Sequence, residues 1–97
     1  MIVVWGSVET SHENRDALLE VCLQHVRRSR MEPGCIEHGA YVDSENDDRI
    51  AFFERWESAD ALKAHFAVPE SAAFVAQLRA MATAEPVMSI YTASEGM

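Results

Sequence analysis

Histidine and glutamate side chains give this sequence its clearest capacity for chemistry, and the stretch ERWESADALKAHF, residues 54–66, contains both types. Glu54 alternates with Phe52 and Trp56 along a predicted strand, so these side chains share one face of the sheet. His65 lies on or beside the apolar face of the helix that follows. A histidine titrates near neutral pH, so an inward-facing histidine beside a carboxylate is suited to moving a proton.

The alternative role for Glu54 and His65 is structural, because buried polar groups are usually paired for stability alone. His38, on the preceding predicted strand, comes close to Glu54 if both side chains face the helices. A shift of one residue in the strand register would turn His38 to the other face. His25 lies near the apolar face of the first predicted helix, and His12 is expected to be exposed to solvent.

Motifs for cofactors and metals are not found in the sequence. It has no GxGxxG or GKS/T phosphate loop and no HExxH pair, and Cys22 and Cys35 lack the CxxC spacing of zinc and dithiol sites. We therefore predict no cofactor and no metal. The four histidines are far apart in sequence, although three of them could still converge in space.

Composition and charge exclude several classes of partner. The chain has 97 residues, of which 48% are hydrophobic and 25% charged, as expected for one globular domain spanning residues 1–97. The formal net charge of −8 argues against nucleic-acid binding and gives no attraction to anionic membranes. No secretory signal or apolar stretch of membrane-spanning length is present, so we expect a cytoplasmic protein.

The hydrophobic periodicity predicts strands and helices in the order β-α-β-β-α-β, with the second helical region split in two. Thr10 and Glu13 have capping-box spacing, which places the start of the first helix there, and the EPG turn ends it. The predicted strands are 2–9, 35–42, 49–57 and 87–92, the later helices are 59–67 and about 70–83, and the loop DSENDD is 43–48. The order predicts a ferredoxin-like α+β fold, a four-stranded antiparallel sheet with helices on one face.

The face of this sheet that the helices leave uncovered is also apolar. Val3 and Trp5 alternate on one side of the first strand and Ile2 and Val4 on the other, so both sides carry apolar residues. A monomer would expose this patch, which soluble monomers avoid. We therefore expect a homodimer packed sheet against sheet, with Arg55 facing the partner and paired with an acidic residue.

Three motifs together resemble the antibiotic biosynthesis monooxygenase family, also called quinol monooxygenase-like proteins. They are SRMEPGCIEH, FFERW and ALKAHFAVPESAAF, and the resemblance spans roughly residues 29–78. It implies a dimeric ferredoxin-like α+β barrel with a pocket between sheet and helices in each subunit. It further implies oxidation of quinols or phenols by molecular oxygen without metal or flavin. By motif match, Glu54 and His65 are the recurring polar pair of the family.

The resemblance also suggests a role for each candidate residue. His65 is the base, oriented by Glu54, and His38 is a second proton carrier or a hydrogen-bond partner of the substrate. The apolar wall of the pocket is expected from Trp56 and Phe52, with Phe66 and His25 as further pocket residues.

The sequence departs from the family pattern at two positions. Glu70 stands where many members have a second histidine after the proline, so a polar group of the pocket is altered. Haem-degrading branches have an asparagine on the first strand, and the stretch VWGSVE offers only Ser7 in its place, which argues against haem chemistry.

Three functions remain open on these residues. The first is a cofactor-independent monooxygenase acting on a small aromatic, phenolic or quinol-like substrate with O2. The second is a non-oxidative enzyme of the same fold, such as an isomerase, and the third is a non-catalytic dimeric binding or stress-response module. A pocket large enough for a bicyclic ligand favours the first two, and a filled core around His65 favours the third.

Overall fold

Four strands and three helices follow one another in the predicted order, and the computed structural model describes residues 1–97. The elements are β1 (Ile2–Glu9), α1 (Arg15–Ser29), β2 (Cys35–Asp43), β3 (Asn46–Trp56), α2 (Ala59–Ala67), α3 (Pro69–Met81) and β4 (Val87–Thr92). The strands form one antiparallel sheet in the order β2-β3-β1-β4. This is the ferredoxin-like α+β fold, so the predicted fold class is confirmed.

The larger core cluster lies between the sheet and α1. Leu18 and Cys22 of α1 are fully buried and pack with Val8, Ile50 and Phe52 from the sheet. This is the apolar face that the helical periodicity predicts. Burial raises the pKa of the Cys22 thiol to about 12, so this side chain behaves as a small core residue.

A smaller core cluster lies under α2 and holds that helix to the sheet. Val4, Trp56 and Leu62 form it, and all three are buried. The Ser58 hydroxyl accepts a hydrogen bond from the Ala61 amide and so caps the start of α2. None of the three helices has the length and apolar content needed to cross a membrane.

Two local predictions were wrong. Helix α1 begins at Arg15 rather than near a Thr10–Glu13 capping box, because the Thr10 hydroxyl donates to the Met81 carbonyl, 2.6 Å away. The connection between β2 and β3 is also shorter than the predicted loop 43–48. Strand pairing continues to Asp43 and Asn46, which leaves a two-residue turn.

The sheet face opposite the helices is largely apolar and exposed, as predicted. Trp5 is 47% exposed, Tyr41 52% and Tyr91 54%. Arg55 lies on this face and donates to Glu37, at 2.7 Å, and to Glu95, at 3.0 Å, so its acidic partners are in the same chain. The exposed aromatic surface is an unusual feature for a monomer.

Candidate active site

Strands β2 and β3 supply the sheet side of the site. His38 lies directly opposite Glu54 in the ladder, so both face the helices, as the sequence predicts for one of the two possible registers. The Nε2 atom of His38 is 3.3 Å from Oε1 of Glu54. The same oxygen accepts a hydrogen bond of 2.9 Å from the Trp56 indole. The strand register therefore places a carboxylate and an imidazole in contact in the interior.

Glu54 remains ionised in this buried position. Burial raises the pKa of its carboxyl, but the contacts with His38 and Trp56 and the nearby His65 lower the pKa by more, so the net shift is downward. The His38–Glu54 contact lacks hydrogen-bond alignment, and neither ring nitrogen of the buried His38 has another partner. An imidazole without satisfied nitrogens is uncommon in a protein interior.

Helix α2 supplies His65, whose partner is not the one expected from the sequence. Its Nδ1 atom is 2.8 Å from Oε1 of Glu32, whereas Glu54 pairs with the sheet residues. The predicted orientation of His65 by Glu54 was therefore wrong. Glu32 lies in the turn after α1, and its other oxygen accepts a 2.6 Å hydrogen bond from Arg28. Gly34, with φ of 83°, completes this turn in a conformation that favours glycine.

Helix α1 supplies His25. The ring stacks on Phe74 of α3, with centroids 3.9 Å apart and planes 3° apart. Its Nδ1 atom lies 3.2 Å from a guanidinium nitrogen of Arg28, which places the imidazole proton on Nε2. Burial is the largest cause that lowers the pKa of His25, and repulsion from His38 and His65 lowers it further, to about 3. This imidazole is therefore neutral near pH 7.

The three histidines from α1, β2 and α2 meet at one point. Their ring centroids are 5.2 to 5.6 Å apart, and one ring nitrogen of each lies within 4.8 Å of the other two. All three are buried. His12, in contrast, is largely exposed, as expected from the sequence. It lies near Asp48. Three of the four histidines therefore do converge in space, which was a possibility from the sequence.

An apolar cavity of about 190 Å³ adjoins these histidines, between the sheet and α3. Its polar lining includes His25, His38, Glu54 and His65, and its apolar lining includes Phe52, Phe66, Phe74, Val75 and Leu78. Phe52, Phe66 and His25 thus line the cavity as predicted. Trp56 does not, because its ring is fully buried behind the cavity in the core cluster under α2.

At the exposed end of the cavity, Arg79 of α3 and Glu85 before β4 form an ion pair of 2.8 Å. Glu70, which replaces the histidine of many family members, is exposed and does not line this cavity. The neighbouring Ser71 is buried, and its hydroxyl donates to the His65 carbonyl over 2.7 Å. Ser71 therefore fixes the end of α2 that carries the histidine.

Sequence reasoning missed Arg28 and Glu32. Their spacing of four residues predicts an ion pair along a helix, but nothing in the sequence predicts that the EPG turn brings Glu32 to His65. The buried network therefore runs from Arg28 through Glu32 to His65, beside a second contact from Glu54 to His38. Two carboxylates and three imidazoles around an apolar cavity are equipped to accept and pass protons.

Comparison with known proteins places this chain in a family. The profile of the antibiotic biosynthesis monooxygenase family matches residues 1–77. The chain therefore belongs to the antibiotic biosynthesis monooxygenase family.

Individual relatives agree with this fold. A crystal structure of an antibiotic biosynthesis monooxygenase superposes with a TM-score of 0.89 at 23% identity, covering 98% of this chain and 100% of the other. The Mycobacterium tuberculosis protein Rv0793 has a TM-score of 0.90 at 21% identity, covering 98% and 96%. An uncharacterised protein of Synechocystis sp. is 30% identical over 94 residues, which are 97% of this chain and 64% of that protein.

Proposed function

We propose that this protein is a cofactor-independent monooxygenase that oxidises a small phenolic or quinol-like aromatic substrate with O2. The observation that carries the proposal is the apolar cavity of about 190 Å³ that adjoins three buried histidines and Glu54. An apolar cavity of about 150 Å³ accommodates benzene, so this volume suits one aromatic ring and not the bicyclic ligand considered from the sequence. The open space beside His65 is nevertheless unlike the filled core expected of a non-catalytic module. Membership of the family supports the same reaction class.

His65 is the proposed proton acceptor. Glu32 holds Nδ1, and Nε2 makes no hydrogen bond within the chain, so that nitrogen is free to take the hydroxyl proton of a bound phenol. The ionised Glu54 lies 3.3 Å from Nε2 of His38 and adds negative charge beside the histidine cluster. His38 is the proposed second proton carrier, because it lies 5.6 Å from His65, centroid to centroid.

The substrate itself supplies all the electrons that the reaction needs. For a phenol with a hydrogen on the para carbon, the phenolate left by proton transfer gives one electron to O2, and the radical pair joins at that carbon. The peroxide formed takes the proton from His65, the O–O bond breaks, and the ring hydrogen leaves with the departing oxygen as water. Phenol and O2 thus become quinone and water, with four electrons lost by the ring and four gained by oxygen.

The apolar cavity wall assists this reaction by excluding water. Phe52, Phe74 and Leu78 surround the ring-binding space, and a site without water strengthens electrostatic interactions around a phenolate. His25 is neutral and stacked on Phe74, so we assign it a positioning role. The two free cysteines, Cys22 and Cys35, are typical of a reducing compartment and support action in the cytoplasm.

The assembly proposed for this enzyme is a homodimer that packs one exposed sheet face against the same face of a second copy. Such an isologous contact would cover Trp5, Tyr41 and Tyr91 in both subunits. The apolar character of this face and the size of the chain support it, since a short chain buries a modest core.

The test is oxygen uptake by chelator-treated protein with a panel of single-ring phenols and hydroquinones. We expect His65→Ala to lower the turnover rate by about 100-fold or more, as loss of a general base does, with folding preserved by circular dichroism. His12→Ala, which changes the exposed histidine, is the control and should match wild type. Equal uptake by the wild type and His65→Ala would refute His65 as the base.

A further inference from the structure

We propose that His25, His38 and His65 form a binding site for a divalent transition-metal ion of the zinc class. The inference goes beyond the proposed function and does not depend on it. A bound ion would occupy the Nε2 atom of His65 that acts as the proposed base, so the metal-bound form would be inactive in that oxidation. Each residue comes from a different element, and one ring nitrogen of each lies within 4.8 Å of the others. Three imidazoles suit Zn²⁺, Cu²⁺, Ni²⁺ and Fe²⁺, and a set of three protein ligands leaves a position for a further one.

The rings need only a small movement to reach ligand distances. Zn–N bonds of 2.0–2.1 Å in tetrahedral geometry place ligand nitrogens about 3.3 Å apart, so no pair has to approach by more than about 1.5 Å. Rotation of the side chains supplies a shift of this size. The adjoining cavity has room for the remaining ligand, either a water molecule or a polar group of a bound molecule.

The carboxylates around the cluster support metal binding. Glu32 contacts Nδ1 of His65, which leaves Nε2 for the ion in the carboxylate–histidine arrangement that is usual around bound metals. Glu54 contacts Nε2 of His38, which leaves Nδ1 for the ion. Two carboxylates, Glu32 and Glu54, contact the imidazoles directly and place negative charge beside a buried dication. Two guanidiniums lie nearby, that of Arg28 and that of Arg30, which donates to the backbone carbonyl of His38.

The unpaired Nδ1 atom of His38 is the second observation that points to a ligand. This side chain is fully buried, and neither nitrogen has an aligned hydrogen-bond partner in the chain. Leaving a buried polar group unpaired is unfavourable. A metal ion bound by Nδ1, with Nε2 then donating to Glu54, would satisfy both nitrogens at once.

Arg28 is the group that opposes metal binding. Its guanidinium contacts Nδ1 of His25 at 3.2 Å, which leaves Nε2 for the ion but keeps the ring proton on that same atom. Binding requires that proton to move to Nδ1 and Arg28 to turn away. Glu32 and Ser71, which Arg28 already contacts, are available to hold the displaced guanidinium.

The first test is equilibrium dialysis of the chelator-treated full chain against Zn²⁺, in the absence of substrate. We expect one ion per chain, and binding at least about tenfold weaker in each of His25→Ala, His38→Ala and His65→Ala. His12→Ala is the matched control and should bind like wild type. Absence of stoichiometric binding, or equal loss in His12→Ala, would overturn the proposal.

A second measurement uses only the wild type, so it does not depend on the folding of variants. Zn²⁺ is titrated into ¹⁵N-labelled protein while the ring nitrogens are followed by NMR. One nitrogen each of His25, His38 and His65 should shift to the position of a coordinated imidazole, with His12 unchanged. A shift of His12, or no shift at all, contradicts the site. Neither test involves oxygen uptake, so failure of the proposed oxidation and failure of the metal site are separate results.

Discussion

Glu32 holds Nδ1 of His65 at 2.8 Å, although the two residues are 33 positions apart and belong to different parts of the helical layer. The other carboxylate oxygen of Glu32 is held by Arg28, one turn earlier. The orientation of the His65 ring is therefore set by the end of α1 and the turn that follows it, and not by the strand glutamate. Glu32 is a positioning residue in the proposed reaction, because it acts through His65.

Replacing Glu32 by glutamine tests this positioning role. Glu32→Gln keeps a polar side chain of the same size but removes the carboxylate that holds Nδ1 of His65. We expect the turnover number for oxygen uptake to fall about 10- to 100-fold, the range seen when a group that orients a functional histidine is lost. The Michaelis constant should change little, because Glu32 does not line the cavity. Glu70→Gln, at an exposed glutamate, is the control. A raised Michaelis constant with unchanged turnover would contradict the positioning role.

The sheet side of the site was predictable from the sequence, whereas the helix side was only partly so. Alternation along a strand fixes which side chains share a face, so Glu54 was correctly placed toward the helices. Its contact with His38 was not predictable, because the sequence allows two registers of β2 against β3 and only one of them brings the two side chains together. Glu32 was missed because the EPG turn, and not a regular element, brings it to His65.

Two wrong predictions, for Thr10 and Trp56, show that tertiary contacts override local sequence patterns. Thr10 has the spacing of a helix cap, but its hydroxyl bonds the Met81 carbonyl, and an isolated bridge joins Thr10 to Ala82. Trp56 is near a strand end and is predicted from the sequence to line the pocket wall, but it packs against Leu62 of α2 in the core. In both cases packing against a distant element decided the outcome, and a single sequence does not contain that information.

The pKa of His25 predicts a loss of stability in acid. The folded-state pKa of about 3 lies below the ordinary value of 6.5. Between these two values the His25 ring is protonated in the unfolded chain but stays neutral in the folded chain. The stability from this neutral histidine is fully present above pH 6.5 and is lost as the pH falls toward 3. Within that window His25 contributes a slope of at most about 1.4 kcal/mol per pH unit.

Urea unfolding at several values between pH 7 and pH 4, with a chelator present, measures this slope. His25→Gln has no titrating ring, so its free energy of unfolding should fall less steeply with acid than that of the wild type. His12→Gln removes an exposed histidine and should keep the wild-type slope. The assignment to His25 fails if the His25→Gln and wild-type slopes are the same.

Trp5→Glu tests the proposed dimer. Trp5 is 47% exposed on the open sheet face, where a two-fold contact would bury a charge from each subunit. We expect the wild type to sediment as a dimer at micromolar concentration and Trp5→Glu as a monomer. Met31→Glu is the control, because Met31 is 87% exposed in the turn after α1, away from the sheet face. A monomeric wild type, or dissociation of Met31→Glu as well, would rule out this interface.

Arg28 offers a prediction in the opposite direction, a substitution that strengthens metal binding. Its guanidinium donates to Nδ1 of His25 and so disfavours the tautomer that a metal ion requires. Arg28→Gln puts an amide oxygen within reach, which accepts a hydrogen bond from a protonated Nδ1. Removal of a hydrogen bond worth about 1.5 kcal/mol from the competing state corresponds to roughly tenfold tighter Zn²⁺ binding.

The control for Arg28→Gln is Arg27→Gln, which makes the same change in net charge one residue earlier, at an exposed position. Equilibrium dialysis of both variants against Zn²⁺ at one pH separates the effect of losing the Arg28–His25 contact from the effect of losing one positive charge. A gain in Arg28→Gln alone supports coordination through Nε2 of His25. An equal gain in both variants would mean that removal of a positive charge near the site is sufficient. Weaker binding in Arg28→Gln would show that His25 is not a ligand through Nε2, because the tautomer that this substitution favours is the one that such coordination needs.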